Sequence, residues 1–290
     1  MQQAIRHIEQ QLSGYFKQHI EITNARQVFG GDINQTFELQ TNLGSFFLKQ
    51  HDDRLADMFE KEFAGLKLLD DSKTVRVPTP ILHGNFENNI FLITEFITTN
   101  NPAKNFWKIF AEQLADLHRH SNDQFGLQED NYIGSLPQQN TFCETWTEFY
   151  ASHRIMPLVQ KAVEQNKCSL KDVTLAEKLC DRLDDLFPKE RPSLIHGDLW
   201  SGNFMSDQIG APNIFDPAVY YGNREMDIAM SLLFGGFDKS FYDHYTEAFP
   251  LQPGWQDRVQ LCQLYPLLVH LMLFGGHYYN SAMSIVKRHT

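Results

Sequence analysis

The run His196-Gly197-Asp198-Leu199-Trp200-Ser201-Gly202-Asn203 is followed downstream by Ile214-Phe215-Asp216-Pro217. The first run comes directly after Ser193-Leu194-Ile195, which reads as a short strand, and Asn213-Ile214-Phe215 reads as another. An aspartate, an asparagine five residues later and a second aspartate behind a strand are the set that phosphoryl transfer needs. The first aspartate accepts or orients the proton of the attacking hydroxyl. The asparagine and the second aspartate hold magnesium ions that bridge the phosphates. Such a reaction runs on positioning and charge neutralisation and asks little covalent work of the protein. The order therefore assigns Asp198 as base and Asn203 and Asp216 as metal ligands. A turn aspartate, or a hydrolase metal site built on His196 and Asp198, accounts for a His-Gly-Asp triplet alone but not for the full ordered set.

The upstream sequence supplies the rest of an ATP site in the expected order. Phe47-Leu48-Lys49 ends a strand and offers a lysine for the α- and β-phosphates. Glu62 lies on the next helix with Leu66 one turn on, and is expected to pair with Lys49; Glu60 is the competing partner. Gly30-Gly31-Asp32-Ile33-Asn34 precedes the first hairpin strand, and its glycines suit a loop whose backbone N–H groups approach phosphates. It is neither a G-x-G-x-x-G nor a Walker A, and two adjacent glycines also mark ordinary turns. Glu95-Phe96-Ile97 closes an apolar strand where backbone groups of Glu95 and Ile97 would meet adenine.

Around these motifs the chain divides into a strand-rich first third and a helix-rich remainder. Thr36-Phe37-Glu38-Leu39 and Ser45-Phe46-Phe47-Leu48-Lys49 flank a turn at Thr41-Asn42-Leu43-Gly44 and predict a hairpin. Phe59, Phe63, Leu66 and Leu69 predict one helix, Val75 to Leu82 an extended edge broken by Pro78 and Pro80, and Asn89 to Phe96 a buried strand. From Phe106 onward helical spacing dominates, with one helix through Leu117 and another over Leu170–Leu186. The expected fold is α+β and bilobal, of the protein-kinase-like kind. A nucleotide-binding lobe spans 1–97 and a helical catalytic and substrate-binding lobe spans 98–290.

Composition narrows the partners. The 290 residues carry a formal net charge of -11, which repels phosphate backbones and argues against nucleic acid. The start MQQAIRHIEQQL has no apolar run and places Ile5, Ile8 and Leu12 on one face of a helix, so no signal peptide is expected. Tyr265 to Gly276 is interrupted by Pro266 and His270 and is too short to span a bilayer. Cys143, Cys168, Cys180 and Cys262 form no C-x-x-C, which favours reduced thiols in a cytoplasmic protein.

At HGDLWSGN and IFDPAVYYGNREMDIAM the sequence resembles the fructosamine kinase family, within the aminoglycoside and choline kinase-like branch. The resemblance runs over nearly the whole chain: GGDINQTF, FFLK, MFEKEFAGL, FGLQEDNYIGSLPQQN, WTEFYASHRIMPL and LFGGHYY. Trp200 and the DNYIG segment are its most specific parts. It implies transfer of phosphate from ATP, with magnesium, to the sugar 3-hydroxyl of ketosamines, small or protein-bound, whose phosphorylated products break down and restore the amine. It further implies Trp200 and His270 as sugar-pocket residues, Lys49 and Glu62 as the phosphate-anchoring pair, and Asp227 of the R-x-x-D-x-A pattern as a brace for the catalytic loop. One departure is plain. Many eukaryotic members carry a cysteine in the glycine-rich loop, linked with redox control, and Gly30-Gly31-Asp32-Ile33 has none. Competing readings are a kinase for an aminoglycoside, choline or homoserine, and a catalytically dead binding module, although no expected catalytic or metal residue is missing.

Overall fold

The computed structural model describes residues 2–28 and 34–290, and two compact units emerge. The first comprises residues 1–103 and 205–215. It opens with helix α1 (Gln2–Phe16), whose Ile8 and Leu12 are buried as the helical spacing requires. Strands β1 (Ile22–Gln27), β2 (Gln35–Thr41) and β3 (Gly44–Asp52) follow, then helix α2 (Met58–Asp71), and strands β4 (Pro80–Phe86) and β5 (Asn89–Glu95). They form one antiparallel sheet in the order β1-β2-β3-β5-β4. Pro80 opens an edge strand, where a missing N–H breaks no ladder bond.

Side chains alternate across a strand, and this decides which way β3 presents its lysine. Phe46 and Leu48 join Ile8, Leu12, Phe91 and Ile93 in one apolar cluster. Lys49, the next residue, must therefore face the opposite side of the sheet.

The second unit comprises residues 104–204 and 216–290. In chain order it holds α3 (Phe106–Arg119), β6 (Asn131–Ile133), β7 (Leu136–Gln138), α4 (Trp146–Phe149), a π-helical turn (Tyr150–Ile155), α5 (Met156–Glu164), α6 (Leu170–Cys180), α7 (Leu183–Leu186) and β8 (Ser193–Ile195). After the hairpin β9 (Phe204–Ser206) and β10 (Pro212–Ile214) come β11 (Tyr220–Gly222), α8 (Glu225–Leu233), α9 (Lys239–Ala248), α10 (Trp255–Phe274) and α11 (Tyr278–His289). The helix expected over Leu170–Leu186 is two helices. Asp181 N–H still donates four residues back to Glu177, but at Arg182 the bond tightens to Leu179, three residues back, and Leu183 turns fully into the core.

Residues 205–215 leave the second unit because their bonds lie with the first. Asn100 N–H donates to the Ser206 carbonyl, Ala103 N–H to Gly210, and Ile214 N–H to Arg76. The boundary expected at 97/98 did not include this return. Among the described residues no helix is long and apolar enough to cross a membrane.

Candidate active site

The second unit assembles the candidate catalytic motif through one strand pair. Strand β8 pairs antiparallel with β11, Ile195 opposite Tyr220, so the residues after β8 and those before β11 emerge side by side. Ala218 N–H donates to the His196 carbonyl at 2.9 Å. The approach is so close at Gly197, φ 84°, that a Cβ there would sit 2.1 Å from the Ala218 carbonyl oxygen. Only glycine fits between His196 and Asp198.

Asp227, in the first turn of α8, braces this corner. Its carboxylate accepts from His196 N–H at 2.7 Å and from Gly197 N–H at 2.9 Å. It also lies 3.2 Å from His118 Nε2, whose Nδ1 is 2.7 Å from the Tyr245 hydroxyl. Burial drives His118 towards its neutral form. A neutral ring that donates from Nε2 to Asp227 and accepts the Tyr245 hydroxyl at Nδ1 satisfies all three groups. Burial alone would raise Asp227, but bonding to His118 and Gly197 outweighs it and holds the carboxyl below its ordinary value. The preceding Arg224 pairs with Glu190 at 2.8 Å and donates to the Phe249 and Pro250 carbonyls. The R-x-x-D pattern here ties the loop to its surroundings.

Asn203 donates from Nδ2 to the Asp198 carbonyl at 2.8 Å and to Asp198 Oδ2 at 3.0 Å. The amide oxygen of Asn203 stays available as a hard donor. Burial pushes the Asp198 carboxyl up to about 7; the Asn203 bond opposes this, and the nearby negative charges of Asp216 and Asp227 add to it. Asp216 holds φ at 55°, in the left-handed region that side chains rarely occupy. An amide oxygen and a carboxylate beside a carboxyl starved of positive charge fit a hard divalent cation such as magnesium. The Nδ1 of His196 is taken up within the loop, accepting from Asp198 N–H at 3.2 Å.

Trp200 packs edge-on against Phe234 at 5.7 Å, and Phe234 lies 4.8 Å from the His270 ring. The indole covers Gly202, where a Cβ would sit 2.4 Å from the ring. The two expected pocket residues thus belong to one aromatic run joined by Phe234. His270 Nδ1 lies 2.8 Å from the Pro266 carbonyl, so Nδ1 carries the proton and burial keeps the ring neutral. Nε2 is then an acceptor.

In the first unit Lys49 Nζ meets both oxygens of Glu62, at 2.9 and 3.0 Å. Phe59, Glu62, Leu66 and Leu69 share one helical stripe, and Glu60 is exposed off it. That spacing is a signal in the sequence which separates the two glutamates. Glu95 bonds Arg76 at 2.6 Å through its side chain, while its N–H donates to Thr79. Ile97 is buried just after β5. Gly30 and Gly31, with Asp32, lie outside the described residues.

The fructosamine kinase family model matches residues 4–290. The chain belongs to the fructosamine kinase family. A "probable ketoamine kinase" of Enterococcus faecium is 44% identical over 253 residues, covering 87% of this chain and 90% of its own. The chloroplastic protein-ribulosamine 3-kinase of Arabidopsis thaliana is 38% identical, covering 92% and 82%. A crystal structure from Haemophilus somnus assigned to fructosamine-3-kinase superposes with a TM-score of 0.88 at 28% identity, over 97% of this chain and 96% of that one. The choline kinase LicA of Streptococcus pneumoniae (TM-score 0.62, 16% identical, 97% of each chain) shares the protein-kinase-like fold alone. Sequence reasoning gave no notice of the parts played by His118 and Tyr245. Their roles arise from contacts across the chain and leave no local pattern.

Proposed function

We propose that this protein transfers the γ-phosphoryl group of ATP to the sugar 3-hydroxyl of a ketosamine, free or protein-bound, as a step in removing the sugar from a glycated amine. The observation that carries this reading is Asp198, held by Asn203 and flanked by Asp216, in a chain of the fructosamine kinase family. Asp198 accepts the proton as the sugar hydroxyl attacks phosphorus. Burial raises the proton affinity of this carboxyl, which suits a group that takes up a proton. Asn203 and Asp216 would hold magnesium, which supplies neutralisation of the phosphate charge. In the first unit Lys49, oriented by Glu62, anchors the α- and β-phosphates. The glycine pair at 30–31 and the backbone of Glu95 and Ile97 take the remaining nucleotide contacts. Trp200 offers an apolar face to the C–H side of the sugar and an N–H at its edge, and His270 offers an acceptor nitrogen.

The test is ATP consumption against ribulosamines, fructosamines, choline and aminoglycosides, with the product identified by phosphorus NMR. A ketosamine 3-phosphate is expected, and Asp198→Asn should lower its formation by ~10²–10⁴-fold while ATP still binds. Phosphorylation of choline or an aminoglycoside with no ketosamine turnover would overturn the substrate assignment. Near-normal turnover by Asp198→Asn would overturn the base.

A further inference from the structure

The hairpin of β6 and β7, with the residues just after it, carries three buried amides: Asn131, Gln138 and Asn140 are 7%, 2% and 0% exposed. Beside them Arg154 is fully buried. Burying a guanidinium and three amides costs desolvation that an apolar core would avoid, so their bonding pattern calls for a reason. They form one connected chain. The second guanidinium nitrogen of Arg154 donates to Asn140 Oδ1 at 2.7 Å, and the ring faces of Tyr220 and Phe149 lie 4.1 and 4.5 Å from its carbon. Asn140 Nδ2 and Gln138 Nε2 each donate to Asn131 Oδ1 at 2.8 Å. Tyr265 holds Gln138 from behind, its hydroxyl donating to Oε1 at 2.7 Å. The chain ends on the main chain: Asn131 Nδ2 donates to the Val219 carbonyl at 2.9 Å and Gln138 Nε2 to the Ala218 carbonyl at 3.2 Å.

Ala218 and Val219 lie two and three residues beyond Asp216. Asp216 occupies the left-handed region at φ 55° and immediately precedes Pro217, two circumstances that disfavour its conformation. Such a residue persists only where the surroundings over-determine it. His196 holds Ala218 from one side through its carbonyl. The amide chain holds the next two carbonyls from the other.

We propose that Asn131, Gln138, Asn140 and Arg154 are positioning residues that lock the turn from Asp216 to Val219, so that the Asp216 carboxylate is presented for metal binding. The proposal rests on the reading of Asp216 as a metal ligand. It gives the DNYIG segment, singled out in the sequence, a task in the reaction without contact to substrate.

The decisive variant is Gln138→Glu. It keeps the oxygen that accepts from Tyr265 and sets a second oxygen against the Ala218 carbonyl and the Asn131 amide oxygen. In metal-free protein, hydrogen exchange at the Ala218 and Val219 amides should quicken by ~10-fold or more. By calorimetry, the magnesium concentration that half-saturates ATP binding should rise ~10–100-fold. ATP affinity without magnesium and the ketosamine KM should stay within ~2-fold. If Gln138→Glu does not fold, Tyr265→Phe removes one hydroxyl and should shift both readouts the same way by ~3-fold. Unchanged exchange and magnesium dependence in a folded variant would overturn the proposal. So would a metal-free ATP affinity that falls in parallel, because the chain would then only support the fold. Asp216→Asn separates the two layers. If it leaves magnesium dependence intact, the metal reading fails. If it abolishes that dependence while Gln138→Glu and Tyr265→Phe behave as wild type, the positioning network fails.

Discussion

Replacing Asp227 by asparagine should both destabilise the protein and slow the reaction, although Asp227 is expected to touch neither nucleotide nor sugar. Its carboxylate is wholly buried and serves three donors: His196 N–H at 2.7 Å, Gly197 N–H at 2.9 Å and His118 Nε2 at 3.2 Å. An asparagine oxygen can keep one backbone N–H, but its NH₂ then faces the other. One orphaned buried N–H costs about 1–3 kcal/mol, and each bond reduced from charged to neutral loses about 1 kcal/mol more. The total is roughly 3–5 kcal/mol, out of a typical stability of about 5–15 kcal/mol. At ~2 °C per kcal/mol for a chain of this size, Tm should fall by ~6–10 °C without loss of the fold. Gly197 N–H is the anchor immediately before Asp198, and a shift of ~1 Å in a catalytic group costs ~10²-fold in rate. Thermal unfolding, ATP turnover and calorimetric ATP binding on the same preparation should show lower Tm, lower kcat and retained ATP affinity. A variant with wild-type Tm and kcat within ~2-fold would refute the bracing role.

Lys49→Ala and Glu62→Ala should each weaken nucleotide use, with less than additive effects in the double variant because either change breaks the same pair, whereas Glu60→Ala on the exposed side of α2 should be silent. Full additivity in steady-state ATP kinetics, or a damaging Glu60→Ala, would count against the pair. Trp200→Ala should raise the ketosamine KM with the ATP KM unchanged; a parallel rise in both would make the indole a packing residue. Burial holds folded His118 below its ordinary value of 6.5, so the unfolded chain binds the extra proton and stability falls as pH drops below about 6.5. The slope is at most ~1.4 kcal/mol per pH unit for this group, and urea titrations of His118→Gln between about pH 5 and 7.5 should show a shallower fall. His153, His270 and His289 shift in the same direction, so part of the slope should remain.

The sequence by itself carried whatever is written in local spacing. The β2–β3 hairpin, α2 and the apolar β5 follow from periodicity, and the order Asp198, Asn203, Asp216 follows from a chemistry that demands particular residue types at particular separations. The glutamate that meets Lys49 was also legible, because Glu62 shares a helical stripe with Phe59, Leu66 and Leu69 and Glu60 does not. The split of Leu170–Leu186 at Asp181 was not, since its apolar spacing continues through a break made by local bond tightening. Nor was the membership of residues 205–215 in the first unit. Tertiary structure alone decided that β8 and β11 pair, that His118 reaches Asp227 across 109 positions and that Asn131 reaches Val219 across 88. These contacts join buried polar groups, which find partners one by one wherever the folded backbone leaves a donor or acceptor unsatisfied. Such pairing has no period along the chain, and so only the folded chain reveals it.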